Sequence, residues 1–492
     1  MSILSKADRI TVIGGGLAGC EAALQLASMG YGVDLLEMRP EKGTPAHVSE
    51  HLAELVCSNS LKSVAISNAH GLMKAELAIL GSRLMEAARL AAVPAGAALA
   101  VDRLEFSRLV GEMISDPSLE GRIRVIRSHV SSLDEISLPA IIATGPLTSE
   151  PFMESLGRRI GAGLFFFDAV APVVFEDSID MSIAFRGSRY GKDGHGMAGS
   201  FSAESPISAE ITSPEEESEG TAEVKSDGQA DGDSDGDYIN CPMNRDEYIA
   251  FREALLTAEK ANVHGFDRKM VFEGCMPIEE MAERGEDTMR FGPLKPVGFL
   301  DPRTGRMPYA LVQLRQDNME GTLFNLVGFQ TRLSFGEQKR VFSMIPGLGK
   351  SRFARYGVMH RNTYLDSPRV LESDLSISAI GGEAAASVVM AAGQIVGVEG
   401  YVESMAMGLL AALFMDRRLK GLPRVSPPAE TLMGSLLSYV TGSAIGGKFS
   451  PMPANFGLLP IIRGRFRKRE LKRRALAERA LNAMEQWKRD QL

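Results

Sequence analysis

Two features of this 492-residue chain have the residue types and spacing for chemistry. The first is Gly14-Gly15-Gly16-Leu17-Ala18-Gly19, which closes the β-branched run Arg9-Ile-Thr-Val-Ile13. Glycine at 14 permits a sharp turn, and glycine at 16 lets a pyrophosphate approach the backbone. Glycine at 19 lets the following helix lie close to the strand. The helix start offers free N–H groups to phosphates. Glu37 falls about twenty residues past the loop, after the run Val33-Asp-Leu-Leu, where an acid takes adenosine ribose hydroxyls. A glycine loop alone also reads as a turn. The strand before it, the helix after it and the acid after the next strand make it a dinucleotide site.

The second feature is Cys57, set among small polar residues in Leu55-Val-Cys-Ser-Asn-Ser60. Ser58, Asn59 and Ser60 are cap formers, so a helix is expected to start beside Cys57. Its free N–H groups and dipole would favour the thiolate there, although a buried, inert thiol is the commoner fate. Cys20 falls in the first helix and is expected in the core. Cys275 is expected to pack in a second domain. Four thiols with no close pairing suit a reducing cytoplasm.

The elements that must hold these residues are legible in outline. A helix begins at Leu17, runs on through Glu21 to Met29 and stops at Gly30. Helical patterns follow at 70–92 and from Asp102, and Arg122–Arg127 reads as a strand. Ile141-Ile-Ala-Thr-Gly145-Pro ends a buried strand in a tight turn. That turn resembles flavoproteins of the glutathione-reductase type, which implies FAD rather than NAD. A second domain opens with the aromatic strand 164–167, and a helix is expected at 245–261. Gly393-Gln394-Ile-Val-Gly397 precedes a small-residue helix at 405–415, so Gly393 and Gln394 suggest a second contact with the cofactor. The expected fold is α/β, a Rossmann-like FAD-binding domain with an inserted α+β domain. Its parts are 1–150 (FAD-binding), 151–325 (inserted, for substrate and RNA), 326–420 (FAD-binding return) and 421–492 (a helical, basic tail).

Composition excludes some classes. The longest apolar run, near Leu90 to Val101, is too short for a bilayer. The first strand begins too early to leave room for a signal peptide. Residues 193–236 carry almost no large apolar side chain and are expected to be disordered. Residues 201–237 hold twelve acids and one base, a net of −11 that takes the remainder from −8 to +3. Asp231-Gly-Asp-Ser-Asp-Gly236 imitates a calcium loop, but Pro242 stands where a bidentate Glu is needed, so no metal is expected. The folded body is mildly basic, and residues 463–474 alone hold eight Arg or Lys, which permits an RNA partner.

Several segments together closely resemble the bacterial folate- and FAD-dependent tRNA (uracil-5-)-methyltransferases. They include Gly14–Ala23, Glu37-Met-Arg39-Pro, Ala53–Leu61, Asp237-Tyr-Ile-Asn-Cys241-Pro, Phe272-Glu-Gly-Cys-Met-Pro-Ile-Glu279, Leu311–Asn318, Val358–Tyr364 and Gly393–Ser404. The acidic run looks like an insertion in that pattern, and 370–392 match it poorly. The resemblance implies FAD, methylenetetrahydrofolate and NAD(P)H, with tRNA or another structured RNA as partner, no membrane, and a cytoplasmic place. It implies that Arg39 joins the cofactor contacts and that Cys57 and Cys241 form a catalytic pair, one the nucleophile and the other a base or auxiliary thiol, with Cys241 preferred as nucleophile. Uracil C5 is a poor nucleophile until a thiolate adds at C6. The one-carbon unit then passes from the folate by way of the flavin to C5, and reduced flavin supplies hydride. His360 carries more weight than His195, which lies in the acidic run. The alternatives are the same chemistry on ribosomal RNA, a FAD-dependent tRNA uridine-34 modification enzyme, a small-molecule flavin oxidoreductase, and a non-catalytic flavoprotein. No second glycine motif stands in strand–turn–helix context to favour the oxidoreductase.

Overall fold

The computed structural model describes residues 9–44, 46–161, 164–169, 171–188, 237–261, 276–381, 384, 387–442, 449–463, 466 and 468–492. The acidic run 193–236, with His195, and Cys275 lie outside these residues. The β-branched strand Arg9–Ile13 sits at the centre of a five-stranded parallel sheet. Gly32–Glu37 and then Ile123–Arg127 lie to one side; Ala140–Ile142 and then Val389–Ala391 lie to the other. The outermost pairing, of Val389 with Ala140, brings a strand from late in the chain into the first sheet.

The helix Leu17–Ser28 is apolar almost all round and is accordingly buried on nearly every side. It packs against the long helix Tyr401–Leu419. The C-terminal helices join the same core. In Arg469–Gln491, Leu476, Ala477, Ala480, Leu481, Met484 and Trp487 form one buried face, at the spacing of a helix stripe. The expected basic tail is therefore one face of a helix whose other face is core, lying along Ala69–Ile79.

A second unit is built on a six-stranded antiparallel sheet in the order 185–186, 238–243, 310–316, 323–326, 173–175 and 353–355. Residues from the helices Arg245–Thr257, Ile278–Arg284 and Phe335–Phe342 join its separate apolar core. The chain leaves the first unit on the strand Leu164–Ala169 and re-enters on Met359–Tyr364, and these two strands pair antiparallel. The two apolar cores run across the expected boundaries. Phe152 and Leu156 belong to the first core, and the second core extends to Leu348, beyond the expected return at 326. Short apolar segments do not reveal which of two cores they fill. Among the described residues no helix is long and apolar enough to cross a membrane.

Candidate active site

The loops that follow all five parallel strands line one cleft. They bring Gly14, Gly16, Leu17 and Ala18, then Glu37 and Arg39, Ser128 and His129, Ala143-Thr144-Gly145, and Gly393 with Gln394 to the same place. This is the crevice outside the carboxyl ends of a parallel sheet, the position where such folds bind ligands. Gly14 has φ +102°, and a Cβ there would stand 2.5 Å from the Ala143 carbonyl oxygen. A Cβ at Gly19 would stand 1.8 Å from the Gly14 oxygen, so the helix can start this close only with glycine. Gly16 has open space on its Cβ side, and no side chain caps the helix that begins at Leu17.

Glu37 clamps this loop. Its Oε2 accepts the Gly15 amide at 2.9 Å, and its Oε1 accepts the Arg39 amide at 3.0 Å and Arg39 Nε at 2.8 Å. Burial opposes its charge, but the Arg39 guanidinium and the two amides outweigh it and hold the carboxyl below its ordinary value. Arg39 also reaches Glu54 Oε2 at 2.8 Å and the Ser49 carbonyl at 3.1 Å, which ties the segment before Cys57 to the second strand. Gln394 Nε2 donates to Glu399 at 3.2 Å.

Cys57 lies beside this cleft, next to Val56 and Tyr401, which line it. No helix starts at Ser58 to Ser60; Ser60–Ser63 is instead a strand paired with Ala98–Val101. The polar surroundings come from elsewhere. The Tyr401 hydroxyl accepts the amides of Cys57 at 2.9 Å and Ser58 at 3.1 Å, and lies 3.0 Å from Cys57 Sγ. A phenol has one proton and two lone pairs. With both lone pairs engaged by amides, the phenol proton is left for Sγ. Burial, and then the neighbouring Cys57, push the Tyr401 phenol well above its ordinary value, so it stays a donor.

Three arginines close on the same segment. Arg103 Nη1 donates to the Leu55 carbonyl at 3.1 Å and Arg315 Nε to Asn59 Oδ1 at 2.9 Å, while Arg355 Nη1 approaches the Val56 carbonyl at 3.4 Å. Asp317 pairs with Arg103 at 3.0 Å. Arg315 and Arg355 come from the second unit, so the site is assembled across the joint.

Cys241 is not brought to the cleft with Cys57. It lies on the strand Tyr238–Met243, fully buried, with Ile239 and Met243 in the second core. A Cβ on Gly347 would meet its Sγ at 3.4 Å. Asn240, which takes a hydrogen bond from Gln313 at 3.1 Å, points to the opposite face, and Arg315 on the paired strand reaches Asn59. Burial pushes the Cys241 thiol up to about 12. Strand alternation places it on that face, with Ile239 and Met243 at period two as the sequence signal. Cys20 is buried in the first core, where it donates to the Gly15 carbonyl at 3.2 Å. Burial, and then Glu37, raise its thiol. Sequence reasoning gave no role to Arg103, Arg315, Arg355, Tyr401 or His129. His129 follows a strand that was legible, and Tyr401 follows Gly400 at a helix start.

A family model described as "Glucose inhibited division protein A" matches residues 9–219 and 214–423. The methylenetetrahydrofolate–tRNA-(uracil-5-)-methyltransferase TrmFO of Geotalea uraniireducens is 48% identical over 480 residues, 98% of each chain. Its namesake from Moorella thermoacetica is 47% identical over 96% of this chain and 97% of its own. Among solved structures, Aquifex aeolicus GidA superposes with a TM-score of 0.60 at 15% identity, over 97% of this chain and 73% of that one, a likeness of fold.

Proposed function

The chain belongs to the methylenetetrahydrofolate–tRNA-(uracil-5-)-methyltransferases, and from that membership we propose how its own residues carry the reaction. It is a folate- and FAD-dependent enzyme that methylates uracil C5 in tRNA. The relatives' names specify tRNA and uracil C5, so ribosomal RNA, uridine-34 chemistry and a small-molecule oxidoreductase are not favoured. In our reading the T-loop uridine is the target, NAD(P)H is the reductant and the cytoplasm is the compartment.

The cleft fits FAD on its own geometry. The open side of Gly16 and the uncapped start of the helix Leu17–Ser28 suit a pyrophosphate, which Gly14, Gly15, Gly16, Leu17, Ala18 and Gly19 would hold. Glu37 and Arg39 would order the adenosine end, and Gly393 with Gln394 would face the flavin. When bound, FAD supplies the redox chemistry that passes the one-carbon unit and then hydride to the base. Cys57 adds to uracil C6, which makes C5 nucleophilic. Tyr401 fixes Cys57 and favours its thiolate. The target base must swing out of the folded RNA to reach this sulfur.

The observation that carries this reading is the Cys57–Tyr401 contact at the rim of the cleft, 3.0 Å between sulfur and hydroxyl. The test is a tRNA transcript incubated with purified protein, methylenetetrahydrofolate and NAD(P)H, then digested and mapped by mass. One 5-methyluridine in the T loop is expected. A methyl group elsewhere, or on ribosomal RNA with tRNA untouched, rejects the assignment.

A further inference from the structure

A chain of ring contacts leads from the core of the second unit to its surface. Phe329 and Phe342 are fully buried, with ring centroids 5.4 Å apart. Phe353 follows at 6.5 Å from Phe342, Tyr356 at 5.1 Å from Phe353, and Phe335 at 5.0 Å from Tyr356. The last two steps are stacked, with planes 16° and 20° from parallel, and Phe335 ends the series 57% exposed. Gln338, buried in the first turn of the helix that Phe335 opens, fixes the outer pair. Its Nε2 donates to the carbonyls of Leu333 and Gly357, and its Oε1 accepts the Gly357 amide, all at 2.8 Å. The residue after Tyr356 is thereby tied to the helix carrying Phe335, so the two rings are held in place before anything binds. A lone exposed phenyl is ordinary on a protein surface; this one rests on a second, braced ring and turns the rest of itself to water. Residues 332–356, which carry the outer three rings, hold six Arg or Lys and one acid, in a chain whose net charge is −8. Lys339 stands four residues after Phe335 on the same helix face, exposed and with no ion pair among the described residues. Arg355, next to Tyr356 in the chain, reaches the Val56 carbonyl at 3.4 Å, which sets the stack beside the cleft that Val56 lines.

We propose that Phe335 is the outer ring of a stacking platform for an unpaired base of the bound tRNA, with Lys339 on a phosphate next to that base. The inference rests on tRNA as the substrate and on no assignment of the thiol that attacks the uracil. An aromatic face accepts any base, since each base has a π face of its own, and the affinity comes without sequence readout. The reaction itself creates the need. When the target base leaves the stack of its loop, its neighbours lose a stacking partner. A ring beside the cleft replaces that partner, and a cation one helical turn away meets the backbone charge that arrives with it. Little entropy is lost in the process, because Gln338 already holds the outer rings in register. A second copy of this chain is the weaker fit, because the basic segment would then face its own like charge.

The test is the affinity of flavin-loaded enzyme for a tRNA transcript over a series of salt concentrations, with flavin content, melting temperature and self-association measured alongside. Phe335→Ala and Phe335→Leu are each expected to weaken binding by about 5- to 100-fold, the loss of one stacked base, with the salt slope and flavin content unchanged. Phe335→Leu separates a stacking ring from apolar bulk. Phe335→Trp is expected to hold or tighten binding, and it serves as the folded control. Lys339→Gln is expected to reduce the slope of log affinity against log salt by about one. Wild-type affinity in Phe335→Ala or in Phe335→Leu overturns the proposal. Unchanged affinity with lost self-association also overturns it and assigns the ring to a second copy of the chain. A loss in Phe335→Trp as large as that in Phe335→Ala overturns it as well, because a larger ring stacks at least as strongly. Failure of the wild-type enzyme to bind tRNA is a separate failure, that of the tRNA assignment.

Discussion

Removing one oxygen atom from Tyr401 takes away the group that joins the amides of Cys57 and Ser58 to the sulfur between them. A hydrogen bond to a charged group contributes about 1.5–3 kcal/mol. Tyr401→Phe is therefore expected to slow alkylation of Cys57 and methylation of tRNA by ~10- to 100-fold at neutral pH, with flavin retained. Timed alkylation with mass detection checks it, and an unchanged rate removes Tyr401 from the site. Single residues were unevenly legible. The glycine loop and Glu37 were readable because their spacing is local. Tyr401 was not, because its partner Cys57 is 344 positions away. The sequence placed Cys57 in a polar setting, but through a helix start that does not form.

At the scale of elements, helix ends decide how the C-terminal part attaches to the first unit. The helix Leu432–Thr441 takes its cap partly from outside itself. Glu76, buried in the helix Ala69–Ile79, accepts the amides of Leu432 and Met433, both at 2.8 Å. Burial raises this carboxyl from 4.5 to about 8, and the two amides only partly oppose it. A folded value above the unfolded one means that the native state binds the extra proton. Its contribution is fully present below about 4.5 and is lost as pH rises through about 8. Glu76→Gln, which is neutral throughout, is expected to flatten that fall. Tm measured at several pH values from 5 to 9 checks it; equal slopes in both proteins contradict it. Strands and helices with strong patterns were legible, including Arg9–Ile13, Ile123–Arg127 and Arg245–Thr257. The Ser60–Ser63 strand was not, because its partner Ala98–Val101 supplies the pairing that overrides local cap preference.

For the whole molecule, the joint between the units matters most. Arg103 meets Asp317 at 3.0 Å, Asp102 Oδ2 accepts the Met319 amide at 2.8 Å, and Asp237 Oδ2 accepts the Gly96 amide at 2.6 Å. These bonds hold the loop carrying Cys57 against the strands carrying Arg315 and Arg355. The α/β plan with an inserted domain was legible from the glycine loop and the late return at Gly393. The joint was not, because contacts between units obey no local period. Cys241 shows the same limit, since its motif is local while the core that its strand faces is not.

The central claim is that Cys57 is the sulfur that bonds uracil C6. The most direct measurement is to trap the enzyme on 5-fluorouridine tRNA, digest the complex and find by mass which cysteine carries the nucleotide. The account predicts the nucleotide on the peptide containing Cys57, no adduct in Cys57→Ala with flavin still bound, and a normal adduct in Cys241→Ser. A nucleotide attached to Cys241, or an undiminished adduct in Cys57→Ala, would contradict it.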